Sequence, residues 1–279
     1  MIDFSASNKI YESLDPQLGI KFYNFDGLDI PFNPDWKKIG INLSGGADSS
    51  CLLIMLCKII QDQNSNCEVH VVTHHRCWNV RPWQASVALA VYEKFKEKFP
   101  SIKFVRHKNY IPPELEWGVL GPITKDQFGR DRSGDQIIVA SFNEYTMYNE
   151  QLDAMYNATS MNPDVDFPHK MMNREKPAEE GTLKDLIFKK QKGHIILPFK
   201  FVRKNWIVAQ YYRLGMEEIY NTTRSCEGNI GHHTSKDIIP TLEDYKPGMH
   251  VPICGECFWC LERAWAESKL EETLKELDE

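Results

Sequence analysis

Two groups of residues in this chain have the types and spacing to do chemistry. The first is Ser44-Gly45-Gly46-Ala47-Asp48-Ser49, set between a short apolar run at 38–43 and a longer one at 50–56. Glycine lets a backbone approach phosphate oxygens without a Cβ in the way, and N–H groups at a helix start point at negative charge. The hydroxyls of Ser44 and Ser49 add donors. A carboxylate does not usefully bind phosphate directly, so Asp48 reads as a holder of Mg²⁺ or as the residue that orients the loop. No Gly-Lys-Ser follows, which excludes a Walker A loop. The plain alternative is a Gly-Gly turn ahead of a capping Asp or Ser, and the full string between strand and helix goes beyond it.

The second group is Cys254-Gly255-Glu256-Cys257-Phe258-Trp259-Cys260, with Cys226 lying 28 positions before Cys254. Four thiolates, Cys226, Cys254, Cys257 and Cys260, suit tetrahedral Zn²⁺ in a closed structural site. An iron–sulfur cluster is the other occupant that such a set accepts. His232 and His233 lie between the cysteines as alternative ligands. Cys51, Cys57, Cys67 and Cys77 are scattered and read as small core residues.

These groups need elements to place them. Residues 1–36 read as an irregular arm, broken by Pro16, Pro31 and Pro34. Residues 38–43 are a strand that enters the Ser-Gly-Gly loop, and a buried helix follows. Further strands are expected at 68–73, 102–106 and 153–158, with a short apolar run at 195–197. Helices are expected from Pro82 to about Phe99, from a cap at Asp135 through Phe142, from Asn205 to Leu214 with Gly215 as the stop, and from Phe258 to the end. Strands alternating with helices imply an α/β fold with a doubly wound, mostly parallel sheet. The expected division is an arm at 1–37, a nucleotide-binding domain at 38–215 and a small zinc-binding C-terminal appendage at 216–279. The Pro- and Gly-rich stretches at 110–134 and 161–181 read as long loops over a site.

With 279 residues, 42% hydrophobic and 26% charged, the chain can bury a sizeable core and is not a disordered sequence. The formal net charge of −6 speaks against a broad nucleic-acid interface and favours a small-molecule substrate. No run approaches the ~20 apolar residues of a membrane helix. Met1-Ile2-Asp3-Phe4 does not open a signal peptide, so a cytoplasmic location is expected, where eight cysteines are not a disulfide framework. The tryptophans, among them Trp78, Trp83, Trp206, Trp259 and Trp265, read mainly as core or interface, and the lysines at 184, 189, 190 and 192 as a solvated basic face.

The string at 44–49 resembles the signature of the N-type ATP pyrophosphatases, or PP-loop enzymes. These attach AMP to a carbonyl or carboxylate oxygen, release pyrophosphate and let a nucleophile displace AMP. Both motifs in this order resemble 7-cyano-7-deazaguanine synthases over residues 38–270. The matching pieces are Ser44 to Ser49, Gly129-Arg130, Pro198 with Lys204, Ser225-Cys226, and Cys254-Gly255-x-Cys257-x-x-Cys260-x-x-Arg263. The resemblance implies a fold like that of the adenine nucleotide alpha hydrolases, with ATP, Mg²⁺ and Zn²⁺ as cofactors. It implies a deazapurine carboxylate and ammonia as partners, a homodimer, and neither membrane nor nucleic acid. Asp48, Lys204 and Arg130 would be catalytic, with the cations steadying charge on the phosphates; Ser44, Gly45, Gly46, Asp48 and Ser49 would hold the nucleotide. Lys204 as a plain surface lysine, and Arg263 as the partner of an acid near the metal, are the simpler readings.

The chain departs from this family at three places: His74-His75-Arg76-Cys77 replaces Asp-Tyr-Gly-Gln, residues 157–168 replace an Asp-x-Ser-Gly-Tyr-Pro-Asp-Cys segment, and residues 131–134 are inserted. All fall where nucleoside and substrate are expected, and all leave the ATP chemistry intact. His74 and His75 at a strand end could meet adenine or act as a base, or serve only the strand. Two other readings stay open. One is a PP-loop enzyme that adenylates a protein C-terminus or an RNA base; the other is a scaffold that binds ATP and zinc without turnover.

Overall fold

The computed structural model describes residues 19–76, 83–111, 122–125, 131–161, 163, 186–226 and 253–279. Cys77, Trp78, Pro82, Arg130, Lys184, His232 and His233 lie outside this set.

A hairpin opens the described chain, β1 (Lys21–Phe25) against β2 (Leu28–Phe32), antiparallel. Part of the stretch read as an irregular arm is therefore regular structure. The turn at Asp26-Gly27 carries positive φ at both residues (45° and 85°), as a tight hairpin requires. Pro31 is expected to act as a breaker, but among the described residues this sheet pairs β1 with β2 alone, and an edge strand tolerates proline. β2 is buried along its length, with Ile30 and Phe32 in the main core.

The principal sheet has six strands: β3 (Lys38–Asn42), β4 (Glu68–Arg76), β5 (Phe104–Ile111), β8 (Ala154–Tyr156), β9 (Ile187–Lys189) and β10 (His194–Ile196). Their spatial order is β5-β4-β3-β8-β10-β9, and every pairing is parallel except β10 with β9. Two short strands, β6 (Pro122–Lys125) and β7 (Asp131–Ser133), form a separate antiparallel pair inside the stretch read as a long loop.

Helices connect the parallel strands. α1 (Ala47–Asp62) links β3 to β4, α2 (Gln84–Lys98) links β4 to β5, and α3 (Gly134–Glu150) leads into β8. After β10 come α4 (Lys204–Arg213), α5 (Glu217–Thr222), α6 (Phe258–Ser268) and α7 (Leu270–Asp278). The single C-terminal helix expected from Phe258 is thus two helices, parted at Lys269. Gly215 follows α4 at φ 63°, the stop that its sequence position suggested.

Alternation along β4 splits the core. Val69 and Val71 join the large cluster with α1 and α2, which also takes in the buried thiols Cys51, Cys57 and Cys67. Val72 faces the other way, packing with Met147 of α3, Leu152 and Met155. The mostly parallel, doubly wound α/β sheet expected from the sequence is the observed architecture. Chain order runs outward from β3 to β5, then returns to β8 on the other side of β3. The crevice beyond the carboxyl ends of β3 and β8 is where such a sheet binds ligands.

Candidate active site and metal centre

β3 delivers Ser44 to that crevice and α1 departs from it. Gly45 has φ +75°, a conformation that favours glycine. Space is a second constraint, because a Cβ there would lie 2.7 Å from the backbone nitrogen of Ala88 in α2. The loop is braced from within. Ser44 N–H donates to Ser49 Oγ (3.1 Å), the two hydroxyls lie 3.1 Å apart, and Gly46 N–H donates to Ser44 Oγ (3.3 Å). Ser50 Oγ donates to Gly46 O (2.8 Å), and Tyr211 OH of α4 donates to Ala47 O (2.5 Å). The first-turn N–H groups of α1 are thereby presented at the end of β3.

Asp48 lies in that first turn and joins two other elements. Its Oδ1 pairs with Lys204 Nζ at the start of α4, and its Oδ2 accepts from Ser160 Oγ (3.1 Å), just beyond β8. Lys204 Nζ is also 3.5 Å from Glu262 Oε2 of α6. Lys204 is 3% exposed and Glu262 4%. Burial alone would lower the ammonium pKa, but Asp48 and then Glu262 outweigh it, so Lys204 is held above its ordinary value and stays charged. Lys204, expected to reach phosphate, pairs here with two carboxylates and fixes the direction of Asp48. Asp48 thus lies beside the loop with its carboxylate fixed, in the place where Mg²⁺ would arrive with a nucleotide. Arg130 lies outside the described residues.

The four cysteines of the second motif come together. Their sulfurs all lie within 4.8 Å of one another, with Cys254 Sγ 3.7 Å from Cys260 Sγ. Tetrahedral zinc with Zn–S of ~2.3 Å needs sulfurs about 3.8 Å apart. The donor set therefore fits a tetrathiolate metal. Cys257 caps α6, and its N–H donates to Cys254 Sγ (3.3 Å). Hydrogen bonds from neighbouring cysteines, then burial, push the thiol of Cys260 far up, so these sulfurs need a cation to become thiolates together.

The two sites meet through residues 223–226. Arg224 N–H donates to Gly45 O (2.9 Å), and Trp83 Nε1 donates to Cys226 O (3.0 Å). Arg263 holds the segment from below. It donates to Thr223 O (2.9 Å) and Oγ1 (3.1 Å) and to Tyr220 O (3.3 Å), and its guanidinium lies 4.0 Å over the Tyr220 ring. It also pairs with Glu267 (3.0 Å), the acid that the simpler reading expected. Among the tryptophans, Trp83 is buried, and Trp206, Trp259 and Trp265 are partly buried against the core. His74 and His75 end up on opposite faces of β4. His74 is buried, with Nε2 2.9 Å from Asn143 Oδ1, while His75 packs on Tyr110.

Sequence reasoning missed Ser160, Glu262 and Thr223. Only Glu262 carried a signal, a carboxylate two positions after the last cysteine.

No family model and no curated protein matches the chain. Among solved structures it is similar to the U34-tRNA thiolase NcsA from Methanococcus maripaludis with its 4Fe-4S cluster, at 12% identity and a TM-score of 0.43, spanning 87% of this chain and 70% of that one. A likeness of this degree assigns no chemistry.

Proposed function

We propose that this chain is an ATP-dependent adenylating enzyme of the PP-loop type that activates a carboxylate for attack by ammonia. One observation carries the reading: Asp48, inside the phosphate loop, is aimed by Lys204 and Ser160 at the crevice between the carboxyl ends of β3 and β8. The loop N–H groups and the Ser44 and Ser49 hydroxyls would hold the triphosphate. Mg²⁺, when bound by Asp48, would offset charge on the phosphates. A substrate carboxylate oxygen then attacks the α-phosphorus and pyrophosphate leaves. Ammonia attacks the acyl carbon and AMP leaves, giving an amide and releasing a proton. A metal at the four cysteines would be structural, holding residue 226 against α6; zinc is proposed there.

The finer reading is 7-carboxy-7-deazaguanine as substrate. A second ATP would activate the amide oxygen, and loss of AMP and a proton would give the nitrile. Incubation with ATP, Mg²⁺, ammonium and that carboxylate, followed by mass spectrometry, tests it. Nitrile with AMP and pyrophosphate, lost in Asp48→Ala, is the expected result. Absence of product from folded, metal-loaded, ATP-binding protein would sink this substrate and direct the search to a protein C-terminus or an RNA base.

A further inference from the structure

The structure assigns a second metal site, distinct from the cysteines, to His70, His107 and Glu150: a three-ligand site for a divalent transition metal. His70 lies on β4 and His107 on β5, and both side chains are on the α3 face of the sheet. The register pairs His70 with Val105 and Val72 with His107, so the histidines are diagonal neighbours. Glu150 is the last residue of α3. One ligand atom from each of the three lies within 4.8 Å of the others.

Three details point beyond a packed histidine pair. His70 is 2% exposed, yet its Nδ1 lies 2.8 Å from His107 Nε2 in the half-buried space facing Glu150. Its Nε2 is buried and lies 3.5 Å from Glu68 Oε2, on a carboxylate whose other oxygen pairs with Lys103. A carboxylate behind the outer nitrogen of an imidazole is the arrangement that fixes the tautomer of a metal-bound histidine. Finally, Lys38 Nζ donates to Glu150 O (3.2 Å), which anchors the end of the helix that brings in the third ligand.

Two imidazoles and one carboxylate suit Zn²⁺, Co²⁺ or Ni²⁺ rather than Mg²⁺ or Ca²⁺. Metal–nitrogen bonds of ~2.05 Å need the two nitrogens about 3.3 Å apart, so the rings must separate by about half an ångström. His70 and Glu150 lie near the amino ends of β4 and β8, His107 lies midway along β5, and the loop at 44–49 follows the carboxyl end of β3. The inference therefore does not depend on the adenylation reading. A metal here would tie β4, β5 and the end of α3 together.

The test uses untagged full-length protein with its cysteine site already loaded with zinc, titrated with Co²⁺. A second equivalent is expected, with visible bands of a nitrogen–oxygen site and no thiolate charge-transfer band. His107→Gln should abolish this equivalent while leaving the cysteine-bound zinc and the circular dichroism unchanged. Glu68→Gln should weaken Co²⁺ binding by about 10–100-fold, as loss of an outer partner does. Glu150→Gln, a change at a half-exposed helix end, gives a variant that keeps its fold and should weaken binding too. If folded wild type takes up only the cysteine-bound equivalent, or if His107→Gln binds Co²⁺ as wild type does, the assignment is wrong.

Discussion

Asp48 has two side-chain partners, Ser160 and Lys204, that lie 112 and 156 positions further along the chain. Lys204 in turn reaches Glu262. Asp48→Asn keeps the shape and removes the charge, so it should retain ATP binding in calorimetry while slowing adenylation by about a hundredfold or more. Lys204→Met leaves two carboxylates facing each other without their cation. A destabilisation of about 3–5 kcal/mol is expected in urea unfolding, the cost of breaking a buried pair from one side. Because the Lys204 pKa is raised on folding, the stability it contributes is fully present below its unfolded value of about 10.4 and is lost as pH rises through the folded value. The deficit of the variant should therefore be constant from about pH 7 to 9 and narrow only above about pH 10. His75 is shifted the other way, lowered by burial and then by Arg106 and Lys108, so its NMR titration midpoint should fall below the ordinary ~6.5.

At the scale of elements, the loop is wedged between α1 and α2, and Gly45 is where they press. Gly45→Ala combines a strained φ with a contact against backbone that cannot swing aside. The expected cost is about 1–3 kcal/mol in thermal or chemical unfolding, with loss of nucleotide binding. What was legible in the sequence was what is written locally. Ser44 to Ser49 and Cys254 to Cys260 are contiguous strings, and the parallel strands announced themselves as short β-branched runs between helices. Ser160 was not legible, because it acquires its role from Asp48, 112 positions away, and Glu262 was written only as a carboxylate near the cysteines until Lys204 reached it. The β1–β2 hairpin was hidden by Pro31, since a proline reads as a breaker until its strand is known to be an edge. β8 falls within the strand expected at 153–158, whereas β10 has three residues, too few for alternation to show, and its strand character comes from the neighbours it pairs with. His70 and His107 are 37 positions apart in sequence, and only the register of β4 and β5 brings them together.

At the scale of the whole molecule, α6 of the C-terminal segment packs on α4, and Cys254, Cys257 and Cys260 gather round Cys226. A chelator that strips the metal should lower the melting temperature, and added Zn²⁺ should restore it. The Arg224–Gly45 hydrogen bond lies only two residues from Cys226, so the ends of this short segment touch the loop at 44–49 and the cysteine cluster. If the cysteines hold a metal and the loop holds a nucleotide, whatever the one does to order that segment the other must return, because linkage is reciprocal. If metal loading tightens ATP binding by some factor, ATP tightens metal retention by the same factor. Transfer of the metal to a chromogenic chelator should then be slower in the presence of ATP, making the cysteine site a thermodynamic gauge of occupancy at the phosphate loop.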